Sequence, residues 1–208
     1  MAGVNPSRLS SSVVLVAGAA ALSLALAGCG GSGSETASSK TSSLSDAIVP
    51  TVTEASTCPT AAPALDAAPQ WKLAGATGSV EVIGSTDNTA PRVTVQAPFS
   101  VTETQVQTLV PGDGPVVADT ATVSVCYEGV NGRDGNVFDS AYQRGAPVEF
   151  PLTNVVPGFQ KAIAGQKIGS TVAVAMVPAD GYPQGEPRAG IQKGDSLIFA
   201  IKILDVTG

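Results

Sequence analysis

The sequence predicts an α+β fold, a strongly antiparallel β-sheet packed on one short α-helix. Three observations predict it. Two stretches alternate at the two-residue period of strands: Val172, Val174 and Met176 against Ala173 and Ala175, then Leu197, Phe199, Ile201 and Ile203. One stretch has helical spacing, with Phe159, Ala162 and Ile163 at i, i+3 and i+4 on a single face. The 23 Gly and 15 Pro in 208 residues demand many turns and argue against a helical bundle. Many strands with one helix make an α+β pattern.

From the N-terminus, residues 1–28 read as a secretory signal. Arg8 supplies the positive start, and Val13 to Ala27 form an apolar run too short to favour a membrane span. The run ends in Leu26-Ala27-Gly28-Cys29, which resembles the bacterial lipoprotein box. That resemblance implies cleavage before Cys29 and lipidation of its thiol; an ordinary signal with a Cys beyond it is the plainer alternative. Lipoprotein modification adds more than one acyl chain, which stable anchoring requires. Residues 29–68 begin Gly-Gly-Ser-Gly-Ser after Cys29 and hold too little apolar matter to fold, so they read as a flexible tether.

Residues 69–100 form a β extension, with strand-like Val80–Ile83 and Val93–Val95 separated by a turn-rich segment from Gly84. So few residues cannot build a core alone, so these strands are expected to extend the neighbouring sheet. Residues 101–208 form the main domain. Thr104 to Val110 is a strand broken by Pro111-Gly-Asp-Gly114. Val123, Val125 and Tyr127 alternate on one face of the next strand. Asn131-Gly-Arg-Asp-Gly135 is a hairpin turn. The oxygens of Asn131, Asp134, Asn136 and Asp139 do not match an EF-hand spacing, so they are assigned to that turn and not to calcium. Gly165 is placed to end the short helix, and Pro178 ends the strand that follows it.

Composition excludes several chemistries. With no histidine in the chain, Ser–His and Cys–His nucleophilic catalysis and His-ligated metal sites are ruled out. The formal charge is -6; removing residues 1–28 takes away Arg8 and no acid, leaving 10 basic against 17 acidic residues, net -7. That balance disfavours nucleic acid, whose phosphates need clustered Lys and Arg. With Cys29 lipidated, Cys58 and Cys126 remain. Cys126 alternates with Val125 and Tyr127, so its side chain lies on the other sheet face, within reach of the extension. An extracytoplasmic compartment permits a Cys58–Cys126 disulfide; two unpaired thiols are the other possibility.

Five segments in order carry a family resemblance: Val123–Gly129 with Tyr127, Gly135–Ser140 with Phe138 and Asp139, Val155–Phe159, Val177–Tyr182, and Ser196–Phe199. Their order and spacing closely resemble the FKBP-type peptidyl-prolyl isomerases over residues 101–208. The resemblance implies a twisted sheet wrapped around the helix. It also implies an isomerase needing no cofactor and no metal, whose partners are proline-containing polypeptides. Tyr127, Phe138, Asp139, Val156, Phe159, Tyr182, Ile191 and Phe199 match positions that bind proline in that family, with Val155 beside them. Val148 and Phe150 match the pocket edge. By the resemblance Phe159 is the floor, Tyr182 offers its hydroxyl to a substrate carbonyl, and Asp139 sits at the rim. Tyr127, Phe138, Asp139 and Tyr182 are the expected catalytic group.

The expected function is folding assistance to exported or cell-envelope proteins from a lipid anchor at Cys29, outside the cytoplasm. Nothing in the sequence asks for more than a monomer. Three departures motivate an alternative, a catalytically weak chaperone or scaffold lipoprotein that binds Pro-peptides. Val148 stands where the family often has an aromatic, Pro183 follows Tyr182, and Ile191-Gln-Lys-Gly-Asp195 replaces a Pro-Pro loop.

Overall fold

The computed structural model describes residues 57–207. The signal segment 1–28, Cys29 and the tether up to residue 56 lie outside the described residues. In chain order the strands are β1 (Trp71–Ala74), β2 (Thr77–Ile83), β3 (Arg92–Ser100), β4 (Gln105–Val110), β5 (Thr122–Asn131), β6 (Val137–Ser140), β7 (Val148–Pro151), β8 (Thr171–Met176) and β9 (Leu197–Val206). Helix α1 (Ala141–Arg144) joins β6 to β7, and helix α2 (Pro157–Ile163) precedes β8.

The larger sheet is antiparallel, in the order β4-β8-β9-β5-β6. Strand β5 is its organiser. One edge of β5 pairs along β9, with Tyr127 opposite Ile201 and Gly129 opposite Phe199. The other edge is shared: Glu128 to Val130 pair with β6, and Thr122 to Val125 pair with β7. Helix α2 packs on one face of this sheet. Phe159, Ala162 and Ile163 meet Val123, Val125, Val172, Val174, Met176, Ile201 and Ile203 in a continuous core. Each of the larger buried side chains here contributes roughly 2 kcal/mol, and Ala162 less. Pro157 opens the helix, where its missing N–H costs nothing. Gly158 lets the helix lie close, since a Cβ there would come within 2.8 Å of the Met176 sulfur.

Strand β8 is buried on both faces, and most of β9 is too. The reason is a second layer. Ala173, Ala175, Ile198, Ala200 and Val130 form a flat apolar back face, and Val80, Val82 and Phe99 of the extension lie on it. Here the structure differs from the expectation that the extension lengthens the main sheet. Strands β1, β2 and β3 form a separate antiparallel sheet in that order, with both edges of β2 already used. It stacks face-on because the small side chains of the back face need cover. The Phe99 amide donates to the Gly132 carbonyl at 2.8 Å, and the Val101 amide to Ser196 Oγ at 3.3 Å, tying the layers together.

The tether reading also ends earlier than residue 68. Cys58 is bonded to Cys126 in a disulfide with a sequence separation of 68, and both are buried among Ala141 and Tyr142. The Cys58 amide donates to the Gly145 carbonyl at 3.3 Å, and the Ala90 amide to the Ala61 carbonyl at 2.8 Å. Arg92 donates to the carbonyls of Ala64, Leu65 and Ala67. A chain held by a covalent bond and this many backbone partners is part of the fold.

Candidate active site

The front core opens at one end into a cleft of about 370 Å³, lined by Tyr127, Phe138, Asp139, Phe150, Asn154, Val155, Val156, Phe159, Tyr182 and Phe199. Each element delivers its side chains for a local reason. Tyr127 continues the inward alternation of Val123 and Val125 along β5. Phe138 and Asp139 follow the β5–β6 turn, which Gly135 closes at φ +75°. The side-chain oxygens of Asn131 and Asp134 accept from the amides of Arg133 and Asn136 at 2.9 and 3.0 Å, which is the turn role expected of them. Val155 and Val156 lead into α2, and Phe159 sits in its first turn.

Phe159 is the centre of an aromatic cluster and only 5% exposed. Its ring stands edge-on to Tyr127, Phe150 and Phe199, with centroids 5.7, 5.3 and 5.2 Å away. Phe138 meets Phe199 edge-on at 5.5 Å. Such pairs fix ring orientation as well as burying area. Gly129 makes the last contact possible: a Cβ there would fall 2.6 Å from Phe138 and 2.8 Å from Phe199.

The polar side of the cleft is a three-residue network. The Tyr127 hydroxyl donates to one Asp139 oxygen, and Arg144 Nη1 donates to the other at 2.5 Å. The guanidinium also lies 5.9 Å from the Tyr127 ring centre and donates to its hydroxyl at 3.4 Å. Burial works against ionisation of Asp139, but the bonds from Tyr127 and Arg144 outweigh it and hold the carboxyl below its usual range. Burial, reinforced by the bond to Asp139, pushes the Tyr127 phenol up to about 12. Burial also raises the Tyr182 phenol, aided by the charges of Glu186 and Asp139. At neutral pH the cleft therefore presents neutral phenols and one fixed carboxylate.

Most of the expected residues come together here: Tyr127, Phe138, Asp139, Phe150, Val155, Val156, Phe159, Tyr182 and Phe199 all line the cleft. Two do not. Val148 begins β7 just beyond α1 and is half-buried against the group around Tyr142. Ile191 is 2% exposed and turned into the main core, its amide and carbonyl both bonded to Glu186. Arg144 and Asn154 belong to the site and were not expected from the sequence. Arg144 closes α1, whose N-cap Ser140 accepts from the Gln143 amide at 3.2 Å.

Residues 114–204 match the family model for FKBP-type peptidyl-prolyl cis-trans isomerases. The FK506-binding protein of Streptomyces anulatus is 36% identical over 100 residues, covering 46% of this chain and 79% of that protein. The chain belongs to the FKBP-type peptidyl-prolyl cis-trans isomerase family. A probable FKBP-type peptidyl-prolyl cis-trans isomerase of Haemophilus influenzae is 37% identical over 95 residues, 46% of this chain and 39% of that protein. The peptidyl-prolyl cis-trans isomerase Mip of Coxiella burnetii is 38% identical over 98 residues, 46% of this chain and 40% of that protein. The chain thus spans well under half the length of these last two relatives. The FKBP match runs from Gly114 through β5 and most of β9 and leaves the three-stranded sheet and β4 outside it.

Proposed function

We propose that this chain catalyses cis–trans isomerisation of X-Pro bonds in exported or cell-envelope proteins, acting as a single chain from a lipid anchor at Cys29. The observation that carries the reading is the gathering of Tyr127, Phe138, Phe159 and Phe199 around one hollow, with the Tyr182 hydroxyl and the Asp139 carboxylate at its edge.

Rotation about a prolyl amide must break its resonance, against a barrier of ~18–20 kcal/mol. No nucleophile or proton transfer is required. The planar amide is more charge-separated than the twisted one, so an apolar, water-poor hollow favours the twisted form. Catalysis then consists of binding that form more tightly than the planar one. In this cleft the proline ring would rest on Phe159, bounded by Tyr127, Phe138 and Phe199. Tyr182, a neutral phenol whose ionisation burial disfavours further, would donate to the substrate carbonyl. Asp139 and Arg144 hold the Tyr127 ring at the cleft wall. The signal-like start, Cys29 and a disulfide suited to an oxidising compartment support an extracytoplasmic site of action.

The test is a protease-free isomerisation assay on the chain lacking residues 1–28, with Cys29→Ser to keep it soluble. Phe138→Ala and Asp139→Leu should each lower kcat/KM while the fold persists. A folded wild-type chain that leaves the uncatalysed rate unchanged would sink the reading.

A further inference from the structure

The connection from β8 to β9, residues 177–196, carries Tyr182 and contains no strand of its own. A long segment of this kind needs other means of being held. Two carboxylates supply them, one at each root. Asp180 accepts from Lys161 Nζ at 2.7 Å and from Thr104 Oγ1 at 2.5 Å, fixing the first root to α2 and to the chain before β4. Asp195 fixes the second. Its side chain is 5% exposed. It accepts from Asn131 Nδ2 at 2.6 Å, from the Gln192 amide at 2.8 Å, and from Arg133 Nε at 3.2 and 3.3 Å. Arg133 also reaches across to the Gly190 carbonyl at 3.1 Å.

Between its roots the loop is closed on itself. Glu186 and Ile191 exchange backbone hydrogen bonds of 2.9 and 3.0 Å. Gly185, at φ +79°, passes so near the Ile191 carbonyl that a Cβ would lie 2.8 Å from it. The middle of the loop is pinned by Ile191, which is buried in the main core, and its two ends are held by their anchors. Asn131 ends β5 and Arg133 lies in the β5–β6 turn that follows, and the next strand bears Phe138 and Asp139. Only a small crevice, lined by Asn136, Phe138, Ala189 and Gly190 among others, separates turn from loop. A buried carboxylate is costly unless fully paired, so an Asp with this many charge-assisted and backbone partners is a strong, directional joint.

We propose that Asp195, through Arg133 and Asn131, is a positioning residue for isomerisation: it locks the Tyr182 loop to the turn that carries Phe138 and Asp139. The two sides of the cleft then keep their spacing while the prolyl bond twists. The role rests on the isomerase reading above.

A double-mutant cycle tests it, with kcat and KM measured for wild type, Asp195→Asn, Tyr182→Phe and the pair. Asp195→Asn is expected to lower kcat/KM about tenfold in the wild-type background, and less than about twofold when Tyr182→Phe is already present. Arg133→Lys should retain more activity than Arg133→Met. Equal losses in both backgrounds, or no loss at all, overturn the role. If Asp195→Asn does not fold, Arg133→Met takes its place in the cycle, since it leaves Asp195 bonded to Asn131 and Gln192. A folded but inactive wild-type chain removes the isomerase reading and the role with it. Amide exchange then reports on the joint itself: faster exchange at Glu186 and Ile191 in Asp195→Asn supports the lock, and unchanged exchange contradicts it.

Discussion

Breaking the Cys58–Cys126 disulfide should cost this protein much of its stability and little of its site. The bond closes a loop with a sequence separation of 68. Restricting an unfolded chain to that extent stabilises the native state by about 4 kcal/mol at 25 °C. Both sulfurs are buried, with Cys58 3% and Cys126 1% exposed, so a reductant acts on the unfolded chain and not on the folded one. Urea unfolding followed by the fluorescence of Trp71, with and without a strong reductant, measures the difference. With a slope of about 2 kcal/mol per molar urea, the midpoint should fall by about 2 M on reduction. Cys126 faces the group around Tyr142, while its neighbour Tyr127 faces the cleft. Reduced protein that remains folded should therefore keep kcat/KM within about twofold. Superimposable urea transitions would refute the reasoning, because the Cys58–Cys126 cross-link would then impose no effective constraint on the unfolded chain.

Gly129→Ala should lower both stability, by about 1–3 kcal/mol as overpacking does, and kcat/KM, since the new methyl displaces Phe138 and Phe199; wild-type values in either measurement would contradict the packing described. All three tyrosines have raised pKa values, with Tyr127 pushed up to about 12 by burial and its bond to Asp139, so ultraviolet titration of the folded chain should show Tyr127 ionising well above the ordinary value of about 10. Because those folded values exceed the unfolded ones, the stability they carry is complete below about pH 10 and is lost as pH rises through the folded values. Burial raises Glu128, so its ionised form is disfavoured in the fold. Glu128→Gln should therefore raise Tm at pH 7 and lose that advantage as pH falls below about 4, where the carboxyl is protonated in both states.

The strands that build the front core were legible because their periodicity is clean. Val172, Val174 and Met176 point at α2, and Phe159, Ala162 and Ile163 answer them. The aromatic cleft was legible only through the family resemblance that the order of its segments carries, since each aromatic taken alone reads as core. The interleaved Ala173 and Ala175 carried a second message that period alone does not separate: they are the floor of another layer. Two-sided burial looks the same in sequence whether a helix or a sheet provides the cover. Arg144 was hidden because α1 is a single turn, too short for any pattern, and its partner Asp139 belongs to the preceding strand. Asp195 reads locally as a polar turn residue; its partners Asn131 and Arg133 are 64 and 62 positions away. Val148 and Phe150 occupy alternate positions of one strand, yet only Phe150 reaches the cleft. Strand parity does not say how far along a strand the cleft extends.

Exchange NMR on a peptide with one X-Pro bond bears most directly on the claim that this cleft turns prolyl amides. Uncatalysed, the cis and trans signals exchange over tens of seconds or longer. With a small fraction of an equivalent of the chain, exchange cross-peaks should appear within a second, and Phe138→Ala should suppress them. Signals that stay unexchanged beside wild-type protein whose urea transition proves it folded would contradict the account.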